Sequence, residues 1–123
     1  MHELSICQAL LDQVENVARD HGARRVSRVA LRIGALSGIE PELLEHAFVV
    51  ARAGGVAGEA TLEIEMTEPV VRCSVCGATG VVAANRLLCP GCGDWRVDLI
   101  EGREMVLAQV ALEFAAASES EAV

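Results

Sequence analysis

The chain has 123 residues, 52% of them apolar, and a formal charge of −8 set by 18 acidic residues against ten arginines; Phe48, Trp95 and Phe114 are its only aromatic side chains. That is one domain's worth of chain, with room for a core and one small appendage. So acidic and aromatic-poor a composition argues against a phosphate-reading or base-stacking surface, and hence against nucleic acid as a partner.

The first apolar stretch is broken by Gln8, Asp12, Gln13 and Glu15, so it reads as neither a secretory signal nor a membrane span. No membrane partner is expected, and the protein is expected to stay in the cytoplasm. Thiols remain reduced there, so five cysteines read as metal ligands or single thiols before they read as disulfides.

From Leu4 to Ala18, the residues Leu4, Cys7, Leu11, Val14 and Ala18, with Leu10 and Val17 beside them, form one stripe at helical spacing. Ser5 followed by Gln8 resembles a capping box, and His21-Gly22 ends the helix. Arg25 to Gly34 alternates: Val29, Leu31 and Ile33 point one way, Arg28, Ala30 and Arg32 the other, as in a half-buried strand. A loop through Ser37-Gly38 leads to a second helix opened by Pro41, with Leu44, Ala47, Phe48 and Ala51 as its buried stripe and Gly54-Gly55 as its stop.

Thr61 to Thr67 alternates again, with Leu62, Ile64 and Met66 inward and Glu63 and Glu65 outward. Opposite charges across a strand pair contribute roughly 0.2–1 kcal/mol each. Arg28 and Arg32 facing Glu63 and Glu65 therefore make these two strands candidate neighbours. A last strand spans about Arg103 to Phe114, with Val106, Ala108, Val110, Leu112 and Phe114 on one face. The expected fold is α+β: a three-stranded sheet packed with two helices, plus an inserted four-cysteine zinc-ribbon lobe. The expected division is 1–68 with 102–116 as the main domain, 69–101 as the inserted lobe, and 117–123 as a flexible tail.

The insert reads "RCSVCGATGVVAANRLLCPGCGDW", and Cys73, Cys76, Cys89 and Cys92 in it form C-x2-C, twelve residues, then C-x2-C. Two residues between cysteines let one tight turn present both sulfurs to a single ion, and zinc takes four thiolates in a tetrahedron. Gly77 and Gly93, each following a second cysteine, allow the positive φ that such turns need. A structural zinc is the favoured occupant, with a redox pair of CxxC motifs or a rubredoxin-like iron site as alternatives. With four protein ligands there is no open position, so such a zinc would fold a lobe rather than catalyse. Trp95 is expected to pack, and Cys7 reads as a small core residue, His46 as a surface residue and His21 as part of a helix end. No catalytic acid/base constellation, nucleophile elbow or phosphate loop is visible, so the chain is not expected to be an enzyme.

The amino terminus is a chelator by construction. The α-amine of Met1, the backbone nitrogen of His2 and the His2 imidazole can reach one metal through small fused rings. Nitrogen-rich square-planar coordination points to Ni(II) or Cu(II). Glu3, through its backbone nitrogen or its carboxylate, can complete or charge-balance the set. Aminopeptidases that remove Met generally need a small second residue, so Met1 is expected to remain. A helix starting near Leu4 opposes the cation by roughly 0.3–1 kcal/mol through its dipole.

"MHELS" at the start, "RIGALSGIEPELLEHAF" in the middle, the cysteine quartet and a closing "GREMVLAQVAL" together resemble the HypA/HybF hydrogenase nickel-incorporation family across essentially the whole chain. The resemblance implies a nickel metallochaperone in which His2 binds Ni(II), Glu3 tunes or contributes to the site, and the Met1 amine is a candidate donor. It implies structural Zn(II) on Cys73, Cys76, Cys89 and Cys92, with Glu40 as an acid near the nickel. It also implies two partners, a nickel-handling GTPase and the [NiFe]-hydrogenase large-subunit precursor, with a second copy of the chain as a further candidate. The bland alternative is a zinc-ribbon adaptor for nucleic acid or protein, with His2 and Glu3 incidental. Two features depart from the family pattern: the basic residues are all arginine with an acidic tail, and the ribbon holds no histidine.

Overall fold

The structure, a computed structural model, describes residues 3–115. Met1, His2 and the whole of the expected tail, 117–123, lie outside the described residues.

Helix α1 covers Glu3–Asp20, and its buried face is Glu3, Cys7, Leu10, Val14 and Ala18. The stripe is rotated from the expected one: Leu4 is 48% exposed, and Glu3 takes its place on the core side. Because the helix begins at Glu3, Ser5 sits inside the first turn and is no capping residue. At the other end the Ala23 N–H bonds the Ala18 carbonyl at 2.8 Å and the Gly22 N–H bonds that of Arg19 at 3.1 Å. With Gly22 at φ 68°, this is a Schellman stop. His21 belongs to that helix end, its Nδ1 lying 2.9 Å from the Val17 carbonyl.

Strand β1 covers Arg25–Gly34, helix α2 Pro41–Ala51 and strand β2 Thr61–Thr67. The chain continues through β3 (Val70–Cys73), β4 (Thr79–Val81), β5 (Val97–Glu101) and β6 (Met105–Glu113). One three-stranded sheet has the order β2-β1-β6 and a second has the order β4-β3-β5. The first sheet with two helices is the α+β core expected from the alternation. The second sheet was not foreseen, because strands of three to five residues are too short to show a periodic pattern.

The expected pairing of β1 with β2 is present. Arg28 Nη1 lies 2.9 Å from Glu63 Oε1, and Arg32 Nε lies 3.4 Å from Glu65 Oε1. Farther along, the Ala35 N–H bonds the Thr67 carbonyl at 2.9 Å. The partners advance together, so β1 and β2 run parallel with α2 as the crossover between them. On the other side of β1, Arg25 pairs with Glu113 and Arg28 with Gln109, which makes β6 antiparallel to it.

Two compact units emerge, with the division falling inside β1, β2 and β6. One gathers the described residues up to Leu31, then Glu40–Ile64 and those from Leu107 on; the other is Arg32–Ile39 with Glu65–Val106. In the first unit, Cys7, Leu10, Val14 and Ala18 of α1, Val26, Val29 and Leu31 of β1, and Leu44 and Phe48 of α2 are buried almost completely. Burying a Val, Leu or Phe side chain contributes about 1.5–3 kcal/mol, and this cluster is the main core. Arg52 closes its rim, with its guanidinium 5.8 Å from the Phe48 ring centroid.

The two edge strands bury less than their alternation implies. Met66 on β2 is exposed, as is Ala108 on β6; Val106 and Phe114 are 42% and 53% exposed. An edge strand has a neighbour on one side only, so its apolar face is partly open to water. The central β1 keeps the expected face buried.

In the second unit, two glycines meet. The Gly34 N–H bonds the Glu104 carbonyl at 2.8 Å, and the Leu36 N–H bonds the Gly102 carbonyl at 2.8 Å. A Cβ on Gly34 would lie 2.2 Å from the Gly102 carbonyl oxygen, so no side chain fits there. The Glu104 carboxylate closes the adjoining turn, accepting the N–H groups of Gly102 and Arg103 at 2.7 Å each. The Gly102 N–H, with those of Glu104 itself and Arg103, holds the Glu104 carboxyl below the usual carboxylate range.

Candidate metal centres

The cysteine centre is two copies of one local structure. Cys73 ends β3, paired with Val97 of β5. Its N–H bonds the Ala78 carbonyl at 2.8 Å, and its carbonyl accepts the Gly77 N–H at 3.0 Å. Cys89 repeats this with Asp94 at 2.9 Å and Gly93 at 3.0 Å. Gly77 and Gly93 both have φ of 79°, which the sequence pattern anticipated.

In each turn two backbone N–H groups point at the first sulfur. Val75 and Cys76 donate to Cys73 Sγ at 3.3 and 3.4 Å. Gly91 and Cys92 both donate to Cys89 Sγ at 3.3 Å. Such donors stabilise a thiolate. The N–H of Cys92, followed by that of Gly91, brings the Cys89 thiol down to about 6, and the N–H groups of Cys76 and Val75 lower the Cys73 thiol as well.

The four sulfurs converge, all within 4.8 Å of one another. Across the two turns Cys73 Sγ lies 3.7 Å from Cys92 Sγ, and Cys76 Sγ lies 3.5 Å from Cys89 Sγ. A tetrahedron with metal–sulfur bonds of about 2.3 Å has edges of about 3.8 Å. These separations fit a zinc ion and far exceed a disulfide bond of about 2.05 Å. All four ligand positions come from the protein, so the zinc is structural.

Packing under the second turn depends on Gly80 of β4, where a Cβ would lie 2.7 Å from Pro90 Cγ. Ser74 ties the first turn to the start of β5, its Oγ–H donating to the Arg96 carbonyl at 2.8 Å. Trp95 corrects an expectation: it is 73% exposed and does not pack into a core. The Arg96 guanidinium lies 5.7 Å from its ring centroid. The same guanidinium grips Asp94 through two hydrogen bonds of 2.9 and 2.8 Å, and it holds the Asp94 carboxyl down to about 2.

At the other candidate centre, Met1 and His2 fall outside the described residues, and Glu3 is the first residue described. Glu3 is 6% exposed, on the core face of α1 one turn from Cys7. Its Oε2 accepts the Glu40 N–H at 3.4 Å, so the structure brings Glu3 and Glu40 together through the backbone of Glu40. The Glu40 residue itself is exposed at the N-cap of α2. Cys7 is the core residue the stripe implied, its Sγ–H donating to the Leu44 carbonyl at 3.4 Å. Burial, then the nearby Glu3 carboxylate, pushes the Cys7 thiol up to about 11. His46 is exposed, as expected.

Sequence reasoning missed the burial of Glu3 and the close approaches at Gly34 and Gly80. Glu3, Cys7, Leu10 and Val14 already stand at helical spacing, so extending the stripe one turn back from Cys7 would have found Glu3.

A small α+β fold with a closed four-thiolate zinc centre defines a class of small zinc-stabilised proteins; no helix among the described residues is long and apolar enough to cross a membrane. The family model for hydrogenase/urease nickel incorporation, the metallochaperone HypA, matches residues 1–112. A hydrogenase maturation factor HypA from Nitrosospira multiformis is 49% identical over 112 residues, covering 91% of this chain and 97% of that one. One from Aquifex aeolicus is 42% identical over 113 residues, covering 92% and 98%. The solution structure of the Ni metallochaperone HypA from Helicobacter pylori superposes with a TM-score of 0.71 at 26% identity, over 94% of this chain and 100% of that one. The chain belongs to the HypA family of nickel-incorporation metallochaperones.

Proposed function

We propose that this protein carries Ni(II) at its amino terminus and hands it on during maturation of a [NiFe]-hydrogenase. The observation that carries the reading is the family match, which begins at residue 1 and so includes the Met-His-Glu start. The donors are the His2 imidazole, the His2 backbone nitrogen and the Met1 amine, with Glu3 contributing its backbone nitrogen or its carboxylate.

Nickel is cargo here. Binding it displaces protons from the amine, the imidazole and at least one backbone amide, so uptake is favoured as pH rises and release as pH falls. The cysteine centre keeps its own ion and has no open position through which nickel could pass. This division suits a carrier rather than an enzyme. It acts in the cytoplasm with a nickel-handling GTPase and the hydrogenase large-subunit precursor, and a second copy of the chain is a further partner.

Isothermal titration with Ni(II) tests this on zinc-loaded protein with its authentic start. His2→Ala, or a few extra residues ahead of Met1, should abolish tight nickel binding while zinc content stays the same. Equal nickel affinity in the authentic and extended proteins would overturn the amino-terminal site.

A further inference from the structure

Helix α2 has an incomplete start. Its N-cap residue Glu40 is extended, with φ −90° and ψ 113°, and its side chain makes no capping hydrogen bond. In a capping box, a carboxylate or amide at the third helical residue reaches back to the N-cap N–H. Here the helix opens Pro41-Glu42-Leu43, so that third position is a leucine with nothing to offer. The Glu40 N–H instead donates to Glu3 Oε2, from a helix 37 residues earlier. A carboxylate beside a helix start also meets the positive end of the helix dipole.

A second contact repeats the same offset. Cys7, one turn beyond Glu3, donates to the carbonyl of Leu44, one turn beyond Glu40, again 37 residues apart. Two ties one turn apart on both helices make α1 and α2 run side by side in the same direction from a common start. Glu3 is more than nine-tenths buried, a costly place for a carboxylate unless its oxygens are engaged.

We propose that Glu3 is a positioning residue: its carboxylate caps helix α2 from α1 and fixes the start of α1, so that of the two Glu3 groups named above only the backbone nitrogen, not the carboxylate, is left for nickel. The nickel half of this inference rests on the amino-terminal site proposed above; the capping half stands on the geometry alone. With Oε2 kept on the Glu40 N–H, α2 stays capped while nickel takes the nitrogen donors.

The test uses the full untagged zinc-loaded chain and two readouts, amide hydrogen exchange at Glu40 and the Ni(II) ligand-field absorption spectrum. Glu3→Ala should speed Glu40 exchange about tenfold or more, the scale expected for losing a hydrogen bond to a charged acceptor, and should weaken nickel binding. Glu3→Gln keeps an acceptor oxygen, so it should hold Glu40 exchange within about threefold of wild type and leave the nickel spectrum unchanged. Unchanged Glu40 exchange in Glu3→Ala would overturn the capping role. A shifted nickel spectrum in Glu3→Gln would make the carboxylate a ligand and overturn the rest. Should Glu3→Ala not fold, Glu3→Gln decides through the same two readouts. His2→Ala should lose nickel with Glu40 exchange intact; retained nickel there would sink the amino-terminal site while the exchange result still judges the cap.

Discussion

Gly34→Ala should be among the most damaging single-methyl additions in this protein. The new Cβ would sit 2.2 Å from the Gly102 carbonyl oxygen, 2.3 Å from its carbon and 2.8 Å from the Arg103 nitrogen. Ordinary carbon–oxygen contacts are about 3.3 Å or more, so the two segments must separate by roughly 1 Å. All three neighbours are backbone, and no side chain can swing away. Separation breaks the hydrogen bonds from Gly34 to Glu104 and from Leu36 to Gly102, both 2.8 Å. Each buried group left unpaired costs about 1–3 kcal/mol, while alanine regains only about 0.4–1 kcal/mol through the unfolded chain. The net expectation is about 2–5 kcal/mol of destabilisation.

Gly38→Ala is the control. That glycine has φ of 80° with nothing within 4 Å of a Cβ, so its cost is the conformational one alone, about 1 kcal/mol. Urea unfolding of both variants with zinc present measures the difference. Equal midpoints, or a loss below about 1 kcal/mol for Gly34→Ala, would refute the steric argument.

Removing zinc with a strong chelator should unfold the β4-β3-β5 lobe, seen as rapid proteolysis between residues 69 and 101, with re-addition of zinc restoring protection. Cys92→Ser should lower zinc affinity strongly, because one corner of the tetrahedron is lost. Cys7, buried and ionising near 11, should resist a thiol reagent at pH 8 in the folded protein and react once urea unfolds it. An unfolded thiol ionises near 8.5. The Cys7 contribution to stability is therefore complete below that pH and is lost as pH rises towards 11, and Cys7→Ala should remove this part of the pH slope. Gly80→Ala, meeting Pro90 Cγ at 2.7 Å, should weaken zinc binding measured by competition with a chromophoric chelator, since the second turn must shift. Unchanged affinity would mean the Pro90 ring absorbs the contact by itself.

Features that depend on neighbours in sequence were legible from residues alone. The helices announced themselves by period, with Leu44 and Phe48 correctly on the inner face of α2. Cysteine, two residues, cysteine, glycine is enough to describe a turn whose bonds at the first cysteine and the glycine close within six residues, so both halves of the zinc centre could be read directly. One long-range feature also showed through: two arginines on β1 and two glutamates on β2, at matching alternation, marked those strands as neighbours.

What remained hidden depends on which surfaces meet. Alternation says that β6 has two faces, but its edge position decides that Val106 and Phe114 stay partly open. Nothing beside Trp95 in sequence distinguishes a packed indole from one held against Arg96 in solvent.

By itself, then, the sequence determined the α+β class, the four-thiolate zinc centre and the family, because local periodicity, turn chemistry and ligand spacing are carried by residues close together. Only the tertiary structure decided that Gly34 must be glycine and that Glu3, polar and next to His2, is a buried carboxylate on the start of α2. Both follow from the approach of segments dozens of residues apart, where a missing Cβ or a donated N–H has no counterpart in the local pattern.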